Sequence, residues 1–204
     1  MAQKLRFAVE REAFKKLKQA VEGDDELRRD IELAIGQLLQ RFATSIRENR
    51  FIVGGVLEVI LVAALRVSGI QAEDVGISEQ RIDIKIPDGG FSIKGHFKRT
   101  GDIRLINVLG ESSETEWDTA TLFVLHGIGI GYADPDLIGE TKRTSDAIVL
   151  RYSALRDFLH RNREYLIVCE IPPARSDTVG SELVSRSIAR EILKETKKLA
   201  NYVP

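Results

Sequence analysis

The sequence has too little cysteine for a disulfide framework. Its single thiol, Cys169, lies in the apolar run YLIVCEI, where a reduced and buried side chain is expected; a reducing cytoplasm is the compartment this fits. It has no excess of either charge, with 30 Lys and Arg against 31 Asp and Glu. A net charge near zero does not announce a nucleic-acid binder, although charges segregated by face would not show in the sum. The first residues lack the apolar stretch of a signal peptide, because charges recur at Lys4, Arg6, Glu10 and Arg11. No internal repeat or low-complexity tract is present. The glycines Gly127, Gly129 and Gly131 are not followed directly by a helix pattern, so they do not form a phosphate-binding fingerprint.

A long apolar run is missing too. The most apolar stretch, FIVGGVLEVILVAALRVSG at 51–69, includes Glu58 and meets Arg66 after Leu65. A membrane span needs about 20 apolar residues, and a mid-membrane carboxylate adds roughly 2.5 to 3.5 kcal/mol. The stretch therefore predicts a buried soluble helix and no membrane. Glu58 has no cation at helical neighbour positions, which hold Gly54, Gly55, Leu61 and Val62. A carboxylate among apolar side chains requires a cation, a metal or a proton; the plainer alternative is an acid at the helix edge that reaches solvent or a distant Arg.

What is present is a chain with 43% hydrophobic residues, enough for a sizeable core in one domain. Residues 5–22 and 24–43 show helical spacing, with Gly23 ending the first helix and Asp24 capping the second. Next in order come the buried helix, a short strand at 74–79, and RIDIKIPDGGFSIKGHF at 81–97. The last reads as a β-hairpin about Asp88-Gly89, with Ile84 opposite Ile93 and Asp83 opposite Lys94. Its apolar face holds Ile82, Ile84, Ile86, Phe91 and Ile93, and its polar face holds Asp83, Lys85, Ser92 and Lys94. A solvated sheet face with a cross-strand ion pair would account for that polar face by itself.

Thr100-Gly101 turns into a further strand at 102–110, which would extend an antiparallel meander. ESSETEWD at 111–118 reads as a loop or short helix, residues 120–125 as a buried strand, and 127–131 as a loop or glycine-rich strand. His126 reads as a hydrogen-bonded structural histidine. Strands at 146–152 and 165–171 flank a helix capped by Ser153, and a helix from about Ser181 to Leu199 docks through Val184, Ile188, Ile192 and Leu199. The fold class expected is α/β: a central mixed sheet with an antiparallel meander, flanked by helices, with an N-terminal helical segment. The expected layout of the single domain 1–204 is a helical pair at 1–45, a core at 50–125, and remaining sheet and terminal helix at 146–204.

Glu58 in GGVLEVI, Asp83 in RIDI and Lys94 in FSIKGHF together resemble the active site of PD-(D/E)XK nucleases, and among these the type II restriction endonucleases. The resemblance covers about residues 50–110, and it implies a restriction-endonuclease-like fold. Two positions depart from the motif: Ser92 stands where an acid normally precedes the lysine by two residues, and Ile82 stands where a proline precedes the aspartate. The resemblance implies magnesium held by Asp83 and Glu58. It also implies that Lys94 orients or helps deprotonate the water and stabilises the phosphate, with Ser92 holding a water of the metal's shell. Asp83-Ile84-Lys85 is a rival acid-x-Lys triplet, with Asp74 as its separate aspartate; the Lys94 version is preferred because it pairs the two motif strands. Lys98, Arg99, Lys142 and Arg143 are the candidate DNA contacts, with Arg151, Arg156, Arg161 and Arg163 as further surface bases. The implied activity is magnesium-dependent, sequence-specific cleavage of double-stranded DNA by a homodimer. The N-terminal helices and the last helix are the candidate dimer surfaces. The alternatives are a nuclease-fold DNA-binding or assembly subunit without chemistry, and an unrelated interaction protein.

Overall fold

The computed structural model describes residues 6–42, 44, 47–75, 81–107, 116–174 and 185–202. Three helices open the chain: α1 (Ala8–Gly23), α2 (Asp25–Arg41) and α3 (Arg47–Val67). Asp24 caps α2 as its side chain predicts, accepting from the Glu26 and Leu27 amides at 3.0 and 3.1 Å. The apolar stripes Phe14, Leu17, Val21 and Leu27, Ile31, Ile35, Leu38 are almost completely excluded from solvent, as is α3 from Val59 to Leu65. Burying each such side chain stabilises the fold by roughly 1.5–3 kcal/mol. These stripes are core, so what α1 and α2 turn outward is mainly charged. Among the described residues no helix is long and apolar enough to cross a membrane.

Two sheets follow. The larger contains β1 (Glu73–Asp74), β2 (Ile84–Ile86), β3 (Gly89–His96), β5 (Thr121–Leu125), β6 (Gly129–Ala133) and β9 (Leu166–Ile167), in the order β1-β2-β3-β5-β6-β9. Its pairs are antiparallel except β3 with β5, which makes the sheet mixed. The smaller sheet is antiparallel and runs β4-β8-β7, from Asp102–Asn107, Ala147–Arg151 and Thr141–Arg143. The chain is thus α/β, with helices on a mixed sheet and a second three-stranded sheet beside it.

Several expectations are corrected. The strand after the hairpin does not extend the meander, which consists of β1, β2 and β3. β4 leaves for the second sheet, where Ile103 and Leu105 pack with Ile148, Leu150, Leu155 and Leu159. Leaving the sheet gives residues 97–120 the length that a crossover needs to bring β5 back parallel to β3. Ser153 caps nothing: α4 (Tyr152–Arg161) starts one residue earlier with Arg151 at its N-cap. Of YLIVCEI only Leu166 and Ile167 pair as strand. The last helix, α5 (Ser185–Leu193), is shorter than expected, and Leu199 lies in a following 3-10 turn. Val184, residues 76–80 of the expected first strand, and 111–115 of the expected loop lie outside the described residues.

The hairpin register is the correction that matters for the site. Ile84 pairs with Phe91, Lys85 with Gly90 and Ile86 with Gly89, so the turn residues are Pro87 and Asp88. Proline fixes its own φ near −65°, and Asp88 takes the left-handed φ of 62° that aspartate tolerates better than most side chains. Gly89, read as half of the turn, and Gly90 serve close approach instead. A Cβ on Gly90 would stand 2.7 Å from the Ile84 carbonyl oxygen, and one on Gly89 would collide with the Glu10 carboxylate. The shift is two residues, so each side chain keeps its expected face. Asp83, however, comes opposite Ser92 rather than Lys94.

Candidate functional site

Alternation along β3 separates two environments. Phe91 and Ile93 join the core under α1 to α3, whereas Lys94 lies beside Phe123, which belongs to the core of the second sheet and α4. β2 pairs with β3 only as far as Ile84 opposite Phe91, so beyond it, among the described residues, the Ile93 N–H has no strand partner. The Asp83 side chain fills that position. Its Oδ2 accepts from the Ile93 amide at 2.6 Å and from the Ser92 hydroxyl at 3.0 Å. The Lys94 ammonium then donates to Ser92 Oγ at 2.8 Å. Lys94, Ser92 and Asp83 form one continuous chain of hydrogen bonds, and Asp83 and Lys94 make no ion pair of their own.

Ser92 itself is only 8% exposed. Its neighbour across the parallel pair is Thr121, also buried, whose hydroxyl accepts from the Trp117 indole N–H at 3.1 Å. A wall of satisfied polar groups therefore backs the serine.

Glu58 is brought to this edge from α3. It is partly buried, and it has no hydrogen-bond or ion-pair partner among the described residues. Burial and the nearby charges of Asp83 and Asp74 push its carboxyl from the ordinary 4.5 up to about 7, while Lys94 pulls the other way. Three carboxylates and one ammonium thus share a region with an excess of negative charge. The arrangement answers the partner question raised by the sequence: the cation on hand is Lys94, and its effect on Glu58 is smaller than those of burial and repulsion.

The raised pKa fixes the sign of a pH effect. Between about 4.5 and 7 the folded chain holds a proton on Glu58 that the unfolded chain releases, so this contribution to stability is full at low pH and fades as pH rises through 7. The loss amounts to up to about 3 kcal/mol. In EDTA, urea unfolding at pH 5 to 8 should show wild type losing stability relative to Glu58→Gln across this range. Parallel curves for the two proteins would mean that Glu58 titrates as an ordinary surface acid.

A divalent cation fits this donor set. Among the described residues Asp83 Oδ1 has no donor and Glu58 no partner, and the two carboxylates repel each other. Among the described residues no group of three or more His, Cys, Asp or Glu side chains is arranged to hold a metal. Magnesium takes one or two carboxylates and leaves its other positions to water and phosphate.

The remaining nominated residues are placed as follows. Lys85 is exposed, paired in register with Glu73 at the far side of β2, and does not join the chain of bonds. Asp74 stands close enough to act on Glu58. Lys98 and Arg99 are exposed just past the end of β3, Arg99 lying over Gly127. Lys142 and Arg143 are exposed on β7 in the second sheet, apart from the carboxylates in the fold. None of these four cations has an ion-pair partner among the described residues, whereas Arg156 is paired with Asp157 and Arg104 with Asp146. His126 donates from Nδ1 to the Ile171 carbonyl at 2.8 Å, a structural contact.

The sequence reading passed over His96. It follows Lys94 by two residues on the same face of β3, stacks on Tyr152 at 5.1 Å, and places Nε2 3.1 Å from the Thr100 carbonyl. Burial lowers its pKa. The alternation that links Ser92 to Lys94 was the available signal. Compared with protein-family models, curated proteins and solved structures, the chain matches none.

Proposed function

We propose that the chain is a magnesium-dependent, sequence-specific endonuclease of double-stranded DNA, of the type II restriction kind, on a restriction-endonuclease-like fold and acting as a homodimer. The observation that carries the reading is the chain Lys94–Ser92–Asp83 at a strand edge beside Glu58, which has no partner among the described residues. Phosphodiester hydrolysis adds negative charge to the phosphoryl oxygens in the transition state, so positive charge fixed there in advance lowers the barrier. Lys94 supplies one such charge: Ser92 Oγ takes one N–H of the ammonium, and the others remain for a phosphate oxygen or for the attacking water. Asp83 and Glu58 would hold magnesium, which when bound adds further positive charge beside the scissile phosphate and favours ionisation of a water.

Lys98, Arg99, Lys142 and Arg143 suit phosphate contacts because no carboxylate among the described residues pairs with them. Contacts of that kind carry no sequence information, and they make binding fall steeply with salt. A two-fold dimer would present two such sites to a palindromic sequence.

The test is incubation of the chain with long mixed-sequence DNA in magnesium and in EDTA, beside Lys94→Ala and Lys85→Ala. Discrete fragments that need magnesium, vanish in Lys94→Ala and persist in Lys85→Ala are the expected result. Absence of cleavage with several divalent metals, together with salt-sensitive DNA binding, would instead identify a binding or assembly subunit. No binding even at low salt would leave an interaction protein.

A further inference from the structure

We infer that Ser92 is a positioning residue: its hydroxyl holds the Lys94 ammonium and the Asp83 carboxylate apart and in register. The consequence for turnover rests on the nuclease reading above; the positioning itself rests on atoms in the fold. A serine hydroxyl has one proton and two lone pairs. The proton goes to Asp83 Oδ2, and a lone pair receives Lys94 Nζ. The hydroxyl is thus committed on both sides at a position 8% exposed and backed by Thr121 and Trp117, which leaves it no proton to offer a bound water.

What this bridge prevents is a direct ion pair. A lysine is a flexible point charge, and with a carboxylate close by it collapses onto that carboxylate unless another acceptor holds it. Ser92 is that acceptor, so both Asp83 Oδ1 and the remaining ammonium protons have no partner among the described residues. Putting back the acid that the motif normally carries would undo the arrangement. In Ser92→Glu a second carboxylate faces Asp83 with no proton between them, in a buried setting that penalises charge.

The experiment has two arms on the full chain. In the first, urea unfolding without metal compares Ser92→Ala, Lys94→Ala and the double variant. The expected result is non-additivity, with the serine substitution changing less once Lys94 is gone. In the second, cleavage of a single-site plasmid in magnesium is followed for Ser92→Ala, Ser92→Thr and Ser92→Glu. A misplaced catalytic group costs about 100-fold, so kcat should fall by that order in Ser92→Ala with KM nearly unchanged. Ser92→Thr, which keeps the hydroxyl, should recover most of the rate, and Ser92→Glu should not. Additive unfolding losses overturn the inference whether or not the protein cuts DNA, as does Ser92→Glu matching or exceeding wild type. Non-additive losses in a wild type that does not cleave keep the positioning role and reject the nuclease.

Discussion

Asp83→Asn is expected to abolish magnesium-dependent cleavage, by a factor of roughly 1,000 or more, while the chain stays folded. Removing one preorganised charge-stabilising group costs about 100 to 1,000-fold in enzymes that act by electrostatic stabilisation, and Asp83 serves two ends at once. It is a proposed metal ligand, and it anchors the bridge that holds Lys94. Asparagine keeps an acceptor oxygen for the Ile93 amide and the Ser92 hydroxyl, so the hairpin edge remains satisfied. Only the charge is lost. Two readouts separate this from unfolding. Magnesium should raise the melting temperature of wild type and no longer do so in the variant. In EDTA, Glu58 should titrate lower, because the repulsion second only to burial in raising it has been removed. Retention of the full magnesium shift would place the metal elsewhere.

Asp134→Ala is the substitution expected to destabilise the fold most, by about 3–5 kcal/mol, the usual cost of removing one partner of a buried ion pair. Asp134 is completely buried. It takes a two-pronged contact from Arg11 at 2.8 and 2.9 Å, the Tyr132 hydroxyl at 2.7 Å, and the amides of Asp136 and Leu137. Its removal would strand a buried phenol and the Asp136 amide and leave the Arg11 guanidinium only the Asp136 carboxylate at 3.8 Å. The carboxylate also holds the Arg11 guanidinium more firmly protonated than usual, chiefly through the hydrogen bonds between them. Burial, helped by the same carboxylate, pushes the Tyr132 phenol far up. Urea unfolding measures the loss, and a value under about 1 kcal/mol, typical of exposed pairs, would mean that water enters the network. Tyr132→Phe, which removes one donor and leaves the ion pair intact, should cost about 1 kcal/mol.

That network bears on the site through α1. Arg11 clamps the first turn of α1 to the end of β6, and the adjacent Glu10 accepts from the Gly90 amide at 3.2 Å, where β3 begins. The N-terminal helix lies outside the stretch that resembles nucleases, and yet it holds the strand that carries Ser92 and Lys94. Loosening the clamp should therefore affect the geometry of the site as well as stability.

The amino-acid sequence by itself determined the helices, the strong strands and which side chains share a face, since these follow from local periodicity. The stripes of α1 and α2, the Asp24 cap, the apolar α3 interrupted by a carboxylate, and the alternation Ser92-Lys94 were all legible. The tertiary structure decided what depends on distance. Gly89 and Gly90 read locally as half of a turn and a strand start, but the Glu10 carboxylate and the Ile84 carbonyl need the space that a Cβ would occupy, and the turn moved to Pro87-Asp88. β4 read as the next strand of the meander, but its apolar side chains found a second core, which turned its segment into a crossover. Asp83 was expected to pair with Lys94 and meets it through Ser92, because a two-residue change in register preserves faces and changes partners. Nothing in the spacing of Arg11 and Asp134, more than a hundred residues apart, signals that they form a buried pair; only the packing of α1 on β6 brings them together.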